Sequence, residues 1–363
     1  MAGIYVHIPF CHAKCAYCDF FSTPHVGRWA ERTAEGIIRE YAMRAGELGT
    51  DSPRTVYFGG GTPSCLPHSL LERIAAVMPM NSALERTIEV NPEDVNHESA
   101  AFWLSLGFNR VSMGIQSLDD SELSAVGRRH TARQALDALN TLRAAGFGNI
   151  SCDLIYGLPG QTLASWRRSL GILLEQHPEH LSAYSLGYEP GTRLTAMLQA
   201  GKITAVDDDT CAEMYYELCA AAAGAGFEHY EISNFAVPGL RSRHNASYWD
   251  FTPYLGLGPG AHSLDCNNVR RSSPSDIGKW LSDGAAIEEE TASERLNDRI
   301  ITGLRTASGL DTGVLDPAEA EGVLIRAGQY LQSGRLLLEG SVLRIPEQYW
   351  IVSDAIMCDL LAD

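Results

Sequence analysis

The chain of 363 residues carries 45 Asp and Glu against 28 Lys and Arg, a formal net charge of −17, and 45% of it is hydrophobic. Such a composition suits a globular, enzyme-sized protein, and the negative charge disfavours nucleic acid as a partner. No run approaches the roughly 18 apolar residues of a membrane span, and MAGIYVHIPF lacks the basic region and apolar stretch of a signal peptide, so a cytoplasmic protein is expected.

Short β-rich runs then alternate with helical patterns. GIYVHI at 3–8 precedes a helix over 28–45, with Ala34, Ile37, Ile38, Tyr41 and Ala45 on one stripe. RTVYF at 54–58 precedes one bearing Leu70, Leu71, Ile74, Val77 and Met78. RTIEV at 86–90 leads to a helix over 98–106 closed by Gly107, and NRVSMG at 109–114 to one running from an N-cap at Thr131 to Ala145 and Gly146. ISCDLIYG at 150–157 leads to a helix over 162–176 that Pro178 stops. LSAYSL at 181–186 is the sixth strand, and 210–223 a further long helix. Six β-α units in succession predict a parallel sheet wound as a partial (β/α)6 TIM-like barrel over residues 1–235.

The pattern changes near residue 235. The stretch 242–263, SRHNASYWDFTPYLGLGPGAHS, is aromatic and rich in glycine without clear periodicity, and it reads as part of a connecting segment over 236–275. A helix over 293–306, a hairpin in RLLLEGSVLRI turning at Gly340-Ser341, and a closing helix with Ile356 and Leu360 predict a small helical, winged-helix-like domain over 276–363. That region holds 7 Lys and Arg against 16 Asp and Glu, a net charge of −9, so it reads as a structural cap and not as a DNA reader.

Functional residues of a β/α barrel gather where its strands end. IPFCHAKCAYCDF at 8–20 sets Cys11, Cys15 and Cys18 in C-x3-C-x2-C spacing just after the first strand, and GGGTPS follows the second. Glu89 ends the third strand, Gln116 follows the fourth and Asp153 lies on the fifth, so all five features share one rim. Three thiolates on a [4Fe-4S] cube leave one iron open to a small molecule's amine and carboxylate. A zinc site completed by His7 or His12 is the alternative, and it leaves the rim unexplained. The glycines read as a tight turn or as backbone exposed to an amino acid's ammonium. Glu89 reads as an acceptor for ribose hydroxyls or as a partnered core carboxylate. The other six cysteines, Cys65, Cys152, Cys211, Cys219, Cys266 and Cys358, are scattered and read as small core residues.

C-x3-C-x2-C with Tyr17 before the last cysteine, and GGGTP after the next strand, resembles the signature of the radical S-adenosylmethionine (SAM) superfamily. YVHIPFCHAKCAYCDF, YFGGGTPS, EVNPED, VSMGIQS, VGRRH, DLIYGLPGQT, YSLGYEPGT, HNASYW and YLGLGPGAHS are together similar to the oxygen-independent coproporphyrinogen III dehydrogenases and their relatives. The dehydrogenases have a fourth cysteine two residues after the third, where this sequence has Phe20, and an N-terminal extension, where this sequence begins four residues before Tyr5. The chain therefore resembles the other branch, the HemW-type haem chaperones.

The resemblance implies a cluster on Cys11, Cys15 and Cys18, and SAM contacts from Tyr5, Gly60 and Glu89. Tyr17, Gly61, Thr62, Gln116, Arg128 and Asp153 match the lining of a second SAM site in the dehydrogenase. HNASYW matches a motif proposed to hold haem, with His244 as axial ligand and Tyr248 and Trp249 on the porphyrin face; a packing corner is the other reading, and His262 is a second candidate. Implied partners are haem or porphyrin, haem-requiring recipient proteins, and an electron donor such as flavodoxin or ferredoxin. Coproporphyrinogen dehydrogenation or a methyl transfer is the enzymatic alternative.

Overall fold

The computed structural model describes residues 2–49 and 52–362. Six parallel strands follow one another in space as they do in sequence: β1 (Ala2–Ile8), β2 (Pro53–Gly60), β3 (Glu85–Val90), β4 (Arg110–Gln116), β5 (Ile150–Tyr156) and β6 (His180–Ser185). Crossover helices lie between them: α1 (Val26–Arg44), α2 (His68–Val77), α3 (His97–Ser105), then α4 (Asp120–Ala125) with α5 (Ala132–Ala145), and α6 (Leu163–Leu174). The strand cores are buried on both faces, as the apolar runs require. Thr131 caps α5 in a reciprocal capping box with Gln134, and Gly146 closes it in the left-handed region, as the sequence predicts. The α/β fold with a partial barrel is thus the observed one.

After β6 come α7 (Arg193–Gln199), α8 (Asp208–Gly224) and the antiparallel pair β7 (Glu228–Glu231) and β8 (Asn234–Ala236), which closes one edge of the sheet against β6. The stretch 242–263 is ordered structure. It forms α9 (Arg243–Trp249), whose seven residues are too few to display a helical period, and β9 (Tyr254–Leu257), which pairs in parallel with β1 from Gly3↔Tyr254 to Val6↔Leu257. β9 makes a seventh parallel strand on the far side of β1. The edge continues through β10 (His262–Leu264), β11 (Arg270–Ser272) and β12 (Ala286–Ile287), flanked by α10 (Ile277–Asp283). Buried Glu40 of α1 locks this edge, accepting from the Gly258 amide at 2.8 Å, Trp280 Nε1 at 3.1 Å and Arg44 at 2.7 Å.

The C-terminal region holds α11 (Ala292–Leu304), β13 (Leu310–Asp311), α12 (Pro317–Gln332), the hairpin β14 (Leu337–Glu339) and β15 (Val342–Arg344), and α13 (Ser353–Leu360). The hairpin turns at Gly340-Ser341 as expected, but β13 adds a third strand and α12 a helix that the periodicity reading passed over. Its start signal is plain in retrospect: Asp316 caps it, Pro317 opens it and Glu319 completes a capping box. The scattered cysteines divide: Cys152 is buried, Cys65, Cys211 and Cys219 are half-buried, and Cys266 and Cys358 are exposed, so the core-residue expectation fails for the last two.

At Gly256 of β9 the backbone runs close to β10: a Cβ there would stand 1.9 Å from the His262 carbonyl oxygen. Gly256→Ala is expected to destabilise the protein by about 2 kcal/mol or more, because two paired strands must part. Equilibrium unfolding in denaturant measures it; a variant as stable as the parent would mean that β9 and β10 yield freely.

Candidate functional site

Parallel strands place all their C-terminal ends on one face, and there the structure opens a cavity of about 470 Å³, within the roughly 300–1,000 Å³ of small-molecule sites. Cys11, Cys15, Cys18, Tyr17, Gly60, Gly61, Thr62, Glu89, Gln116, Arg128 and Asp153 all line it. Eleven positions spread over 143 residues of sequence meet in one place because strand ends must. Tyr5 is the exception: it lies beneath, with its hydroxyl 3.2 Å from His7 Nδ1, and does not reach the lining.

The cysteine loop is held by its backbone. Cys11 N–H donates to the Thr23 carbonyl at 3.2 Å and Thr23 N–H to the Pro9 carbonyl at 2.8 Å, closing the loop on itself. Ala16 N–H donates to the Val126 carbonyl, and the Ala16 carbonyl accepts from Leu194 N–H, tying the loop to the end of α4 and to the first turn of α7. Thr62 Oγ1 donates to Cys11 Sγ at 3.4 Å and Arg128 Nη1 to Cys15 Sγ at 3.6 Å. Burial pushes the Cys18 thiol up to about 11 and raises that of Cys11, so thiolates form here with a cationic centre to bind and not as free nucleophiles. Neither histidine of the zinc alternative turns to the thiols: His7 Nε2 faces the Phe21 carbonyl at 3.1 Å, and His12 Nε2 faces Asp94 Oδ1 at 3.0 Å.

The glycine turn works through close approach. Gly60 has φ +108°, and a Cβ on Gly61 would stand 2.6 Å from the Phe10 carbonyl oxygen, so any side chain there would press on the cysteine loop. Their amides are engaged, Gly60 N–H with Glu89 Oε2 at 3.1 Å and Gly61 N–H with the Ile8 carbonyl at 2.9 Å; carbonyl oxygens are what an ammonium would use. Glu89 also accepts from Tyr57 Oη at 2.8 Å. Burial raises its pKa to about 7, above the ordinary carboxylate range, with Asp153 adding to the rise and the Tyr57 hydrogen bond opposing it. Asp153 is likewise raised by burial, against hydrogen bonds that include Ser112 Oγ at 3.2 Å. Gln116 sits in the left-handed region at φ +67°, beside a register shift between Gly114 and Gln116 that re-aims its side chain.

The sequence reading passed over Asn91, inside the quoted EVNPED. Its side chain donates to Thr62 Oγ1 at 3.2 Å and accepts from Arg128 Nη2 at 2.8 Å, joining two loops of the rim. Tyr57 was also missed, although period-two alternation from Gly59 puts it on the same inner face. The residues fit a cluster and a SAM-sized ligand: three thiols on one loop, an acceptor carboxylate, and Arg128 with a buried Nε that has no partner among the described residues.

The haem candidates lie elsewhere. His244 is 1% exposed at the opposite end of the strands, with Nδ1 2.8 Å from Thr55 Oγ1 and Nε2 2.8 Å from Tyr248 Oη. Its ring stacks on Tyr57 at 5.0 Å, and burial pushes its pKa down to about 3. The expectation that it presents a nitrogen to haem iron is not met by this arrangement, because both nitrogens already have partners; the packing reading describes it. Trp249 lies in a separate cavity against the C-terminal region, under Arg305. His262 is exposed on the sheet edge, its Nδ1 3.4 Å from Glu288.

Residues 5–171 match the family model for the Radical SAM superfamily. The chain is 36% identical over 325 residues to Heme chaperone HemW of Synechocystis sp., covering 84% of this chain and 78% of that one. It is 34% identical over 390 residues to Radical S-adenosyl methionine domain-containing protein 1, mitochondrial, of Mus musculus, covering 99% and 87%. Coproporphyrinogen III oxidase (HemN) from Escherichia coli superposes with a TM-score of 0.83 at 21% identity over 99% of this chain and 90% of that one, a likeness of fold. The fold and the three-cysteine cavity are thus those of a radical SAM protein, a superfamily whose cofactors are a [4Fe-4S] cluster and SAM. Within it, the chain belongs to the HemW family.

Two outcomes follow for this site. Cys15→Ala is expected to abolish the visible absorbance of the reconstituted cluster, about four irons per chain, while Cys65→Ala keeps it; stoichiometric zinc without labile sulfide would contradict the assignment. Glu89 has a raised native pKa, so it favours the folded state while protonated and loses that contribution as pH rises through about 7. Between about pH 6 and about pH 8 the SAM-free protein should lose about 1 kcal/mol relative to Glu89→Gln. Parallel thermal-melting curves for the two would show that Glu89 does not titrate there.

Proposed function

We propose that the protein is a haem chaperone that keeps a SAM-binding [4Fe-4S] site and hands haem to haem-requiring recipient proteins. The observation that carries this reading is its membership of the HemW family, whose Synechocystis member is a heme chaperone by name. Phe20 supports it. The residue stands on the cavity rim, 64% exposed, where the resemblance to the dehydrogenases would ask for a fourth cysteine.

In this reading Cys11, Cys15 and Cys18 would hold the cluster and leave it open to SAM. Bound together, cluster and SAM supply one-electron reduction of a sulfonium. The chain's own residues position SAM: Glu89, fixed by Tyr57 and Gly60, accepts from the ribose hydroxyls, and the Gly60-Gly61 turn leaves room for the amino-acid end. Arg128, anchored to Asn91 and the Gly114 carbonyl, offers its guanidinium to an anionic group. Tyr17, Thr62, Gln116 and Asp153 complete the wall. A flavodoxin or ferredoxin would reduce the cluster. No helix among the described residues is long and apolar enough to cross a membrane.

Haem needs an accessible axial ligand, and of the two histidines considered only His262 has an exposed ring. One haem per chain is expected to bind. His262→Ala should shift the Soret band, whereas His244→Ala should lower thermal stability and leave the band of the haem complex in place. Coproporphyrinogen III, SAM and reductant should yield no protoporphyrinogen IX with cluster-loaded protein. Steady production of protoporphyrinogen IX would overturn the chaperone reading in favour of a porphyrinogen-oxidising enzyme, a reading that the complete SAM cavity keeps open.

A further inference from the structure

On the side of the barrel away from the cysteine cavity, three potential metal ligands from distant parts of the chain converge. Cys219 comes from α8, His229 from β7, and Glu347 from the 3-10 turn Glu347–Val352 that follows β15 of the C-terminal region. One donor atom from each lies within 4.8 Å of the other two. We propose that these residues form a second metal site, independent of the iron-sulfur centre, for a borderline divalent cation such as Zn2+, which clips the C-terminal region to the barrel.

The first support is the tautomer of His229. Its Nε2 lies 3.2 Å from the Ile232 carbonyl, an acceptor only, so Nε2 carries the proton. In the neutral ring Nδ1 then presents a lone pair, and it points at Glu347 Oε1, 2.8 Å away. Two acceptors face each other at that distance only when a proton or a metal cation is shared between them. A ring nitrogen metallated on one side while the other N–H is held by a carbonyl is the usual arrangement of a histidine ligand.

The second support is preorganisation. The His229 ring stacks on Phe235 at 3.9 Å between centroids, and the Trp350 ring meets its edge at 4.4 Å. Trp350 is itself fixed by a 2.8 Å hydrogen bond from Nε1 to the Ile345 carbonyl. The imidazole therefore cannot swing away. Cys219 Sγ stands 3.9 Å from the same Nδ1, near enough for one cation with bonds of about 2.0–2.3 Å to reach both.

The third is the donor set. One thiolate, one imidazole and one carboxylate suit Zn2+ or Co2+ better than Mg2+ or Ca2+, which prefer oxygen alone. Glu347 is on the solvent side, its side chain 57% exposed, so a fourth position would be filled by water. The backbone next to the site already crosses between the two regions: Ile232 N–H donates to the Arg305 carbonyl and Ala307 N–H to that of Tyr230, both at 3.1 Å. A cation on Cys219, His229 and Glu347 would add a crosslink between residues 118 apart along the chain. The competing arrangement is a metal-free imidazolium–carboxylate pair, and it makes opposite predictions.

The test uses full-length, cluster-loaded protein incubated anaerobically with Zn2+ and desalted, with iron and zinc counted together by elemental analysis. One zinc per chain beyond the cluster iron is expected. Cys219→Ser and His229→Gln should lose that zinc and keep the iron, and Glu347→Gln, a surface change that leaves folding intact, should weaken zinc binding by about tenfold or more. Saturating Zn2+ should raise the melting temperature of the parent by about 3 °C or more and that of Glu347→Gln by clearly less. Zinc retained equally by the parent and by Glu347→Gln and Cys219→Ser, or no zinc retained by the parent, would overturn the proposal and leave the ion pair.

Discussion

Everything at the functional face depends on the hydrogen-bond ladder of seven adjacent parallel strands. Parallel pairing needs a crossover after every strand, and each crossover leaves from the same end of the sheet. Cys11 after β1, Gly60 at the end of β2, Glu89 on β3, Gln116 at the end of β4 and Asp153 on β5 become neighbours through that constraint and no local one. β9 extends the ladder beyond β1, so the strand that feeds the cysteine loop is an interior strand, flanked by β2 and β9. An interior strand is rigid, and a loop meant to hold three thiols at fixed spacing needs rigid ends.

The two ends of the barrel carry different chemistry for the same reason. At the open end, carboxylates are buried without full neutralisation, and burial raises both Glu89 and Asp153. Groups left in that condition await a ligand's donors. At the other end two buried histidines find partners within the protein, while Arg110 at the start of β4 keeps Nε and Nη1 without a partner among the described residues. His244 bridges Thr55 and Tyr248, and His180 bridges Ser151 and Tyr230, each with both ring nitrogens engaged. Glu85 accepts from the Arg243 and His244 amides, which fixes the start of α9. Within HNASYW, His244 and Tyr248 thereby pack at the strand starts, while Trp249 lines a separate cavity.

The C-terminal region is joined to the barrel by few backbone bonds, around Tyr230–Ile232 and Arg305–Ala307. Arg241, Arg299 and Arg305 sit over the rings of Tyr230, Phe251 and Trp249. These cation–π contacts line the seam and add about 0.5–1 kcal/mol each where exposed. The buried apolar core also runs across the seam, with Ile300, Leu304 and Trp350 in the same cluster as the barrel residues, and a metal crosslink there would add to that packing.

The sequence by itself determined the parallel α/β plan, because two-fold and 3.6-fold periodicities alternate six times and helix caps such as Thr131 and Gly146 are local signals. It also determined the cysteine loop, the glycine turn and Glu89, since the spacing of ligands on one loop is a property of the chain. It did not determine what seven-residue α9 or four-residue β9 would be: elements that short are stabilised by burial against β1 and β2, and burial is absent from a local window. Nor could it decide between ligand and packing residue for His244, because that depends on Thr55 and Tyr248 meeting it across 189 residues in one case and one helical turn in the other. Tertiary structure alone brought Cys219, His229 and Glu347 together, for no spacing along the chain relates them. Short-range periodicity is written in the sequence; which polar groups find partners is settled when the strands pack.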